Sequence, residues 1–178
     1  MKKYPYLALV VLLSQLTLGM DLPPAPDGFT WQETPDIKAA FLRPKGWYFQ
    51  QENDKGTLAY FITQEEIKNG GEFLTGLTIN VFHPKNSSVE YARSFIEDRA
   101  TKDHGKKWAK DVGPFREFGC LCKVVDEGGR TMTHTLMVAN PKTNTLYLFI
   151  FESPEAEWET AWKTGEKIMD TLVIDDEI

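Results

Sequence analysis

Apolar and polar residues alternate along the first half of the chain in short runs that turn residues separate. At residues 76–82, GLTINVF, the apolar positions Leu77, Ile79 and Val81 alternate with polar ones. This pattern predicts a strand with one buried face. Further apolar-aromatic runs between residues 29 and 65 are interrupted by proline and glycine, which is typical of successive strands and turns.

Helical periodicity replaces this alternation twice. Ser87 and Glu90 have the spacing of a capping box, which predicts a helix start. Near the C-terminus, Ser153 is predicted to cap a second helix whose apolar stripe contains Gly165. Because glycine costs about 1 kcal/mol against alanine inside a helix, this glycine indicates a close approach to the sheet. The two apolar stripes are Val89, Ala92, Phe95 and Ile96, and Trp158, Ala161, Trp162, Ile168, Met169 and Leu172.

The segment TLYLFIF at residues 145–151 is apolar on both faces. A strand of this kind needs cover on both sides, so we expect it at the centre of the sheet with helices above and below. The predicted fold is therefore α+β: a three-layer sandwich with a central, mostly antiparallel sheet in meander order and helices on both faces.

The N-terminus has the layout of a secretory signal peptide, with two early lysines and an apolar run over residues 6–18 that is short for a membrane span. We predict a signal peptide at 1–19, a proline-rich spacer at 20–28 and one domain at 29–178. The alternative is an uncleaved N-terminal anchor. We therefore expect an exported protein, periplasmic or extracellular, that is not an integral membrane protein after signal cleavage.

The charge balance is acidic. The formal net charge is −6, and without Lys2 and Lys3 it becomes −8, because 18 basic residues face 26 acidic ones. This balance argues against a nucleic-acid partner.

Three segments resemble the PsbP-like family, the extrinsic photosystem II proteins and their bacterial relatives, whose fold a Ran-binding nuclear import factor shares. They are RPKGWYF, FLTGLTINVF and TLYLFIFESPEAEWETAWKTGEKIMDTLVID. The chain is similar to a bacterial exported member of that family. The resemblance implies the fold, and it implies an accessory protein that binds other assemblies, some members being associated with metal ions. The resemblance does not identify metal-ligand residues in this chain.

Two cysteines and a histidine stand on a predicted hairpin between residues 118 and 138. Cys120 and Cys122 share one face of the first strand, and a three-residue loop at 127–129 aligns the apolar faces of both strands. This register predicts that Cys122 lies opposite His134. A disulfide between the two cysteines is not expected, since a regular strand holds them too far apart.

Three interpretations of this hairpin follow. Free cysteine packs as a small apolar residue, so core packing is the favoured one. Two sulfurs and an imidazole could instead be three ligands of a zinc or copper ion, with metal residues Cys120, Cys122 and His134 and no fourth donor in the motif. Redox or intermolecular pairing of the cysteines is the third.

No catalytic motif occurs in the sequence, and no catalytic residue is predicted. A hydrolase would need an acid beside His83 or His104. Trp31, Trp47 and Trp108 lie outside the helical stripes and are candidates for a partner surface, although core packing is the more common role.

These observations predict an exported, non-catalytic accessory domain that associates with a partner protein or an envelope component. The alternative is a metal-binding protein with a Cys-x-Cys/His site on the hairpin. The first hypothesis requires an exposed apolar patch at the rim of the sheet.

Overall fold

The computed structural model describes residues 22–54, 57–68, 72–126 and 129–174. The predicted signal peptide, 1–19, lies outside the described residues, as do the start of the spacer and the acidic residues at the C-terminus.

The strands are β1 (Phe29–Thr34), β2 (Ala39–Pro44), β3 (Tyr48–Asp54), β4 (Thr57–Thr63), β5 (Gly76–Phe82), β6 (Lys106–Val112), β7 (Phe115–Asp126), β8 (Gly129–Asn140), β9 (Thr145–Pro154) and β10 (Val173–Ile174). The helices are α1 (Ser88–Lys102) and α2 (Trp158–Asp170).

Seven strands form the main sheet in the order β3-β4-β5-β9-β8-β7-β6, and every neighbouring pair is antiparallel. The sheet consists of two meanders, β3 to β5 and β6 to β9, which meet where β5 pairs with β9. Helix α1 connects them. β9 is the central strand, as the apolar character of its two faces predicts.

The helices lie on opposite faces of this sheet. Helix α1 packs on β7 and β8, and α2 packs on β9 and on β2. Strands β1, β2 and β10 form a second, three-stranded sheet on the α2 side. The α+β three-layer architecture is confirmed.

Helix α1 begins as predicted, because the Ser87 hydroxyl accepts a hydrogen bond from the Glu90 backbone N–H at 3.4 Å. The predicted start of α2 is wrong. Ser153 is paired with Met132 in the sheet, and β9 continues to Pro154. A 3₁₀ turn over Glu155–Glu157 then leads into the helix at Trp158.

Gly165 lies against the sheet as predicted. A Cβ on this residue would be 2.8 Å from the ring of Phe151, a fully buried residue of β9. The absence of a side chain therefore determines how closely α2 approaches β9.

Candidate functional site

The hairpin of β7 and β8 has a register different from the predicted one. Cys122 pairs with Thr133 and Leu121 pairs with His134, in register with the pairing of Asp126 and Gly129. Since side chains alternate between the faces of a strand, the one-residue difference separates the cysteines from the histidine. The predicted Cys122–His134 pairing is wrong.

The prediction failed because it assumed that the hairpin has one apolar face. Both faces are covered, one by α1 and the other by α2, so apolar residues occur on both. On the α1 face β8 contributes Thr133 and Thr135, which are 2% and 0% exposed. Matching of apolar positions fixes register only where one face is polar.

Cys120 and Cys122 lie under α1 in a closed core. They are 0% and 1% exposed and free, and their sulfur atoms are 3.6 Å apart. Ala92, Ile96 and Met137 belong to the same buried cluster. Burial is the main cause that raises the pKa of the Cys120 thiol to about 12, which disfavours the thiolate that reacts with disulfides or metals.

The proposed metal ligands Cys120, Cys122 and His134 do not converge, since the sheet separates the imidazole from the sulfurs. In the part of the chain that the structure describes, no group of three histidine, cysteine, aspartate or glutamate side chains is placed to hold a metal ion.

His134 instead stands in a row of aromatic rings on the α2 face. Its ring centroid is 4.3 Å from that of Trp162 on α2 and 5.0 Å from that of Trp108 on β6. Trp158 continues the row, stacked on Trp162 at 5.2 Å. Trp108 lies across the backbone of Gly119, its partner on β7, where there is no room for a Cβ.

The imidazole of His134 is held in its neutral form. Burial lowers the pKa of His134 to about 4, because a charged ring loses its hydration there. The buried Nδ1 atom has no hydrogen-bond partner among the described residues. The neutral ring is stacked on Trp162 and tilted against Trp108, with interplanar angles of 29° and 40°.

A groove opens beside this row, between α2 and the part of the sheet that α2 leaves uncovered. We name it the α2 groove. Its volume is about 710 Å³. It is lined by Trp108, Lys110, Val112, Phe115, Glu117, His134, Leu136, Val138, Trp162, Glu166, Met169, Asp170, Leu172, Val173 and Ile174.

The surface of the α2 groove is both apolar and polar, and its charges are mainly negative. Val112 and Val173 are each 40% exposed. Lys110 Nζ is 2.9 Å from Glu117 Oε2, so the one cation among the lining residues already has a partner. Glu166 and Asp170, one helical turn apart on α2, are exposed.

The other two histidines have different surroundings. His83 Nδ1 is 3.4 Å from the hydroxyl of Thr145, and His104 is exposed in a turn. Within the described ranges neither histidine has an ion pair with a carboxylate. The geometry that the hydrolase alternative requires is therefore not found there.

The three tryptophans named as surface candidates have different surroundings. Trp108 lines the α2 groove. Trp31 Nε1 donates to the Pro23 carbonyl at 2.6 Å and holds the spacer against β1. Trp47 lines a smaller cleft of about 440 Å³ on the other side of α2.

Most groove residues were not predicted as site residues. The alternation of Trp108, Lys110 and Val112 on one face of β6 was a usable signal, because an apolar face on an exposed strand needs a cover or a partner. Glu166 and Asp170 gave no signal, since acidic residues on the outer side of a helix are ordinary.

No protein-family model matches the chain, and no curated protein matches it in sequence. Among solved structures, cyanobacterial PsbP (CyanoP) from Synechocystis aligns with a TM-score of 0.56 and 13% identity, over 89% of this chain and 99% of that one. The chain has the PsbP-like fold.

Two further structures have this PsbP-like fold. LpqN, described as involved in cell envelope biogenesis of Mycobacterium tuberculosis, aligns with a TM-score of 0.53 and 11% identity, over 82% of this chain and 90% of that one. PA94 from Pseudomonas aeruginosa, a protein of unknown function, aligns with a TM-score of 0.52 and 10% identity, over 83% and 97%. At these identities the likeness concerns the fold alone.

Proposed function

We propose that this chain is an exported, non-catalytic accessory domain that binds a partner protein or an envelope component through the α2 groove. The observation that carries the proposal is the groove itself, an open cleft with apolar and charged residues beside a row of aromatic rings. Clefts of this size with a few placed polar groups are the usual form of binding sites.

Other features support the binding role. Among large apolar side chains of the described residues, few are exposed, and two of them, Val112 and Val173, line the same groove. Exposed apolar residues gathered at one place favour an interaction site. No described helix has the length and apolar character needed to cross a bilayer.

Export rests on the sequence of residues 1–19. LpqN shares the fold and is described as involved in cell envelope biogenesis, and an envelope setting for this chain agrees with both. The localisation is tested by expressing the full chain with its own N-terminus and sequencing the N-terminus of the exported product. Retention of residues 1–19 on a cell-associated product would contradict signal cleavage.

The binding role is tested with a matched pair of substitutions. Val112→Asp places a charge in the α2 groove, whereas Val125→Asp places the same charge at the exposed end of β7, where Val125 is 67% exposed. Tagged wild-type protein and both variants are used to capture partners from an extract of the cells that produce it. We expect Val112→Asp to lose the partner and Val125→Asp to retain it.

Equal capture by all three proteins would show that the groove is not part of the binding site. Equal loss in both variants would indicate a general effect of charge or folding, and far-UV and near-UV circular dichroism of each variant separates these two causes.

A further inference from the structure

We propose that the occupant of the α2 groove is a basic segment of a partner protein, bound in an extended conformation. This inference rests on the proposed function of the groove, and three features of the groove carry it: its charge, its exposed apolar residues and the free edge of β10.

The charge of the groove is uncompensated. Lys110 is paired with Glu117 at 2.9 Å, which leaves the exposed carboxylates of Glu166 and Asp170 on the rim. Neither has an ion-pair partner in the part of the chain that the structure describes. A ligand with lysine or arginine side chains supplies the missing charge, and complementary charge also accelerates the encounter.

The apolar residues of the groove favour an apolar group in the ligand. Val112 at the end of β6 and Val173 at the start of β10 are exposed, and Phe115, the strand partner of Val112, is half-buried. A ligand that carried charge alone would leave these side chains in water. The occupant therefore has apolar side chains as well as basic ones.

Strand β10 offers backbone hydrogen bonds to an extended ligand. In the described residues it pairs with β2 alone and is one of the two edge strands of the small sheet. Val173 and Ile174 both line the groove. Addition of a strand to an exposed edge is a common way of binding peptides, in which the backbone contributes affinity and alternate side chains contribute specificity.

A polypeptide fits this groove better than a sugar does. Sugar rings bind on exposed aromatic faces, but Trp162 has Trp158 on one side and His134 on the other. Trp108 lies over Gly119. Trp162, with a ring on each side, therefore gives no free stacking platform to a sugar.

The test is selection of a random peptide library on the purified protein. Selected peptides are synthesised, and their affinities are measured at low and high salt. We expect lysine or arginine alternating with apolar residues, and affinity that falls as salt rises. The double variant Glu166→Lys/Asp170→Lys should bind about tenfold more weakly. The control Glu159→Lys, an exposed position of α2 outside the groove lining, should bind as the wild type does.

The remaining outcomes overturn this inference in distinguishable ways. Acidic or uncharged peptides whose binding is lost in Val112→Asp would leave the groove as a binding site and exclude a basic ligand. Peptides whose binding is unchanged in both Val112→Asp and the double variant would exclude the groove as the binding site. A library that yields no binder, together with unchanged partner capture by Val112→Asp, would also exclude it. A dimer in sedimentation that Val112→Asp dissociates would identify a second copy as the occupant.

Discussion

The two faces of the β7–β8 hairpin differ in how a helix covers them. On one face, small residues such as Ala92 and Ala100 bring α1 directly onto the strands, and Cys120 and Cys122 are fully enclosed. On the other face, α2 lies to one side, and an aromatic row borders an open groove. The enclosed face stabilises the domain, and the open face is available for binding.

The position of α2 explains this difference. Gly165 brings the helix against Phe151 on the central strand β9, and α2 also packs on β2 of the small sheet. On the side of β6 to β8, α2 therefore covers the sheet only in part and reaches β8 through Trp162. Trp162 and Trp108 fill part of the space with His134 between them, and the remainder is the groove.

The largest expected effect concerns His134 and pH. Its folded-state pKa of about 4 lies below the ordinary value of 6.5, so between these values the unfolded chain binds a proton that the folded chain does not. The stability that depends on a neutral His134 is fully present above about pH 6.5 and is lost as the pH falls to about 4. The free energy of unfolding decreases by up to about 3 kcal/mol over this range.

Urea denaturation at several pH values measures this loss. His134→Phe keeps a ring between the two indoles but cannot titrate, so its unfolding free energy should fall less than that of the wild type. The difference between the two proteins removes the contribution of carboxylates common to both. The same pH dependence in both would contradict a neutral, stacked histidine.

A smaller effect is expected at Gly165. Alanine normally stabilises a helix by about 1 kcal/mol relative to glycine, but here its Cβ would meet the ring of Phe151 at 2.8 Å. We expect Gly165→Ala to lower the free energy of unfolding by about 2 kcal/mol. Lys163→Ala, at an exposed position of the same helix, is the control and should have little effect. A stabilised Gly165→Ala variant would show that α2 is not held by this contact.

The smallest energetic effect is expected on the α1 face. Cys120→Ala should cost about 1 kcal/mol. In protein purified without chelator, both thiols should be unreactive towards a thiol reagent until the chain is unfolded, because both are buried. Metal analysis of the same sample tests the zinc or copper hypothesis. Near-stoichiometric metal, with thiols that react only after chelation, would make this face the functional one.

The sequence predicts those parts of the fold whose signals are local. Three such signals are the alternation in β5, the Ser87 cap and Gly165. Each depends on neighbours in the chain or on one close contact. The hairpin register could not be predicted, because two helices cover opposite faces and apolar residues carry no preference between them. The small sheet was also missed, since β10 has two residues and its pairing of Val173 with Ala40 joins distant parts of the chain.

Apart from the alternation on one face of β6, the groove could not be predicted from its residues, for a similar reason. Trp108 and Trp162 were recognised separately, one as a strand residue and the other as part of a helical stripe. Their meeting across His134 depends on the register of β8 and on the lateral position of α2. Neither is encoded by a short motif.

The most direct test of the central claim is photo-crosslinking of both faces in cells that produce the protein. A photoreactive phenylalanine analogue replaces Val112 in the α2 groove or Tyr91 on α1, residues with similar exposures of 40% and 42%. We predict a discrete crosslinked partner from position 112 and none from position 91. A partner crosslinked from position 91 and not from position 112 would contradict the assignment of binding to the α2 face.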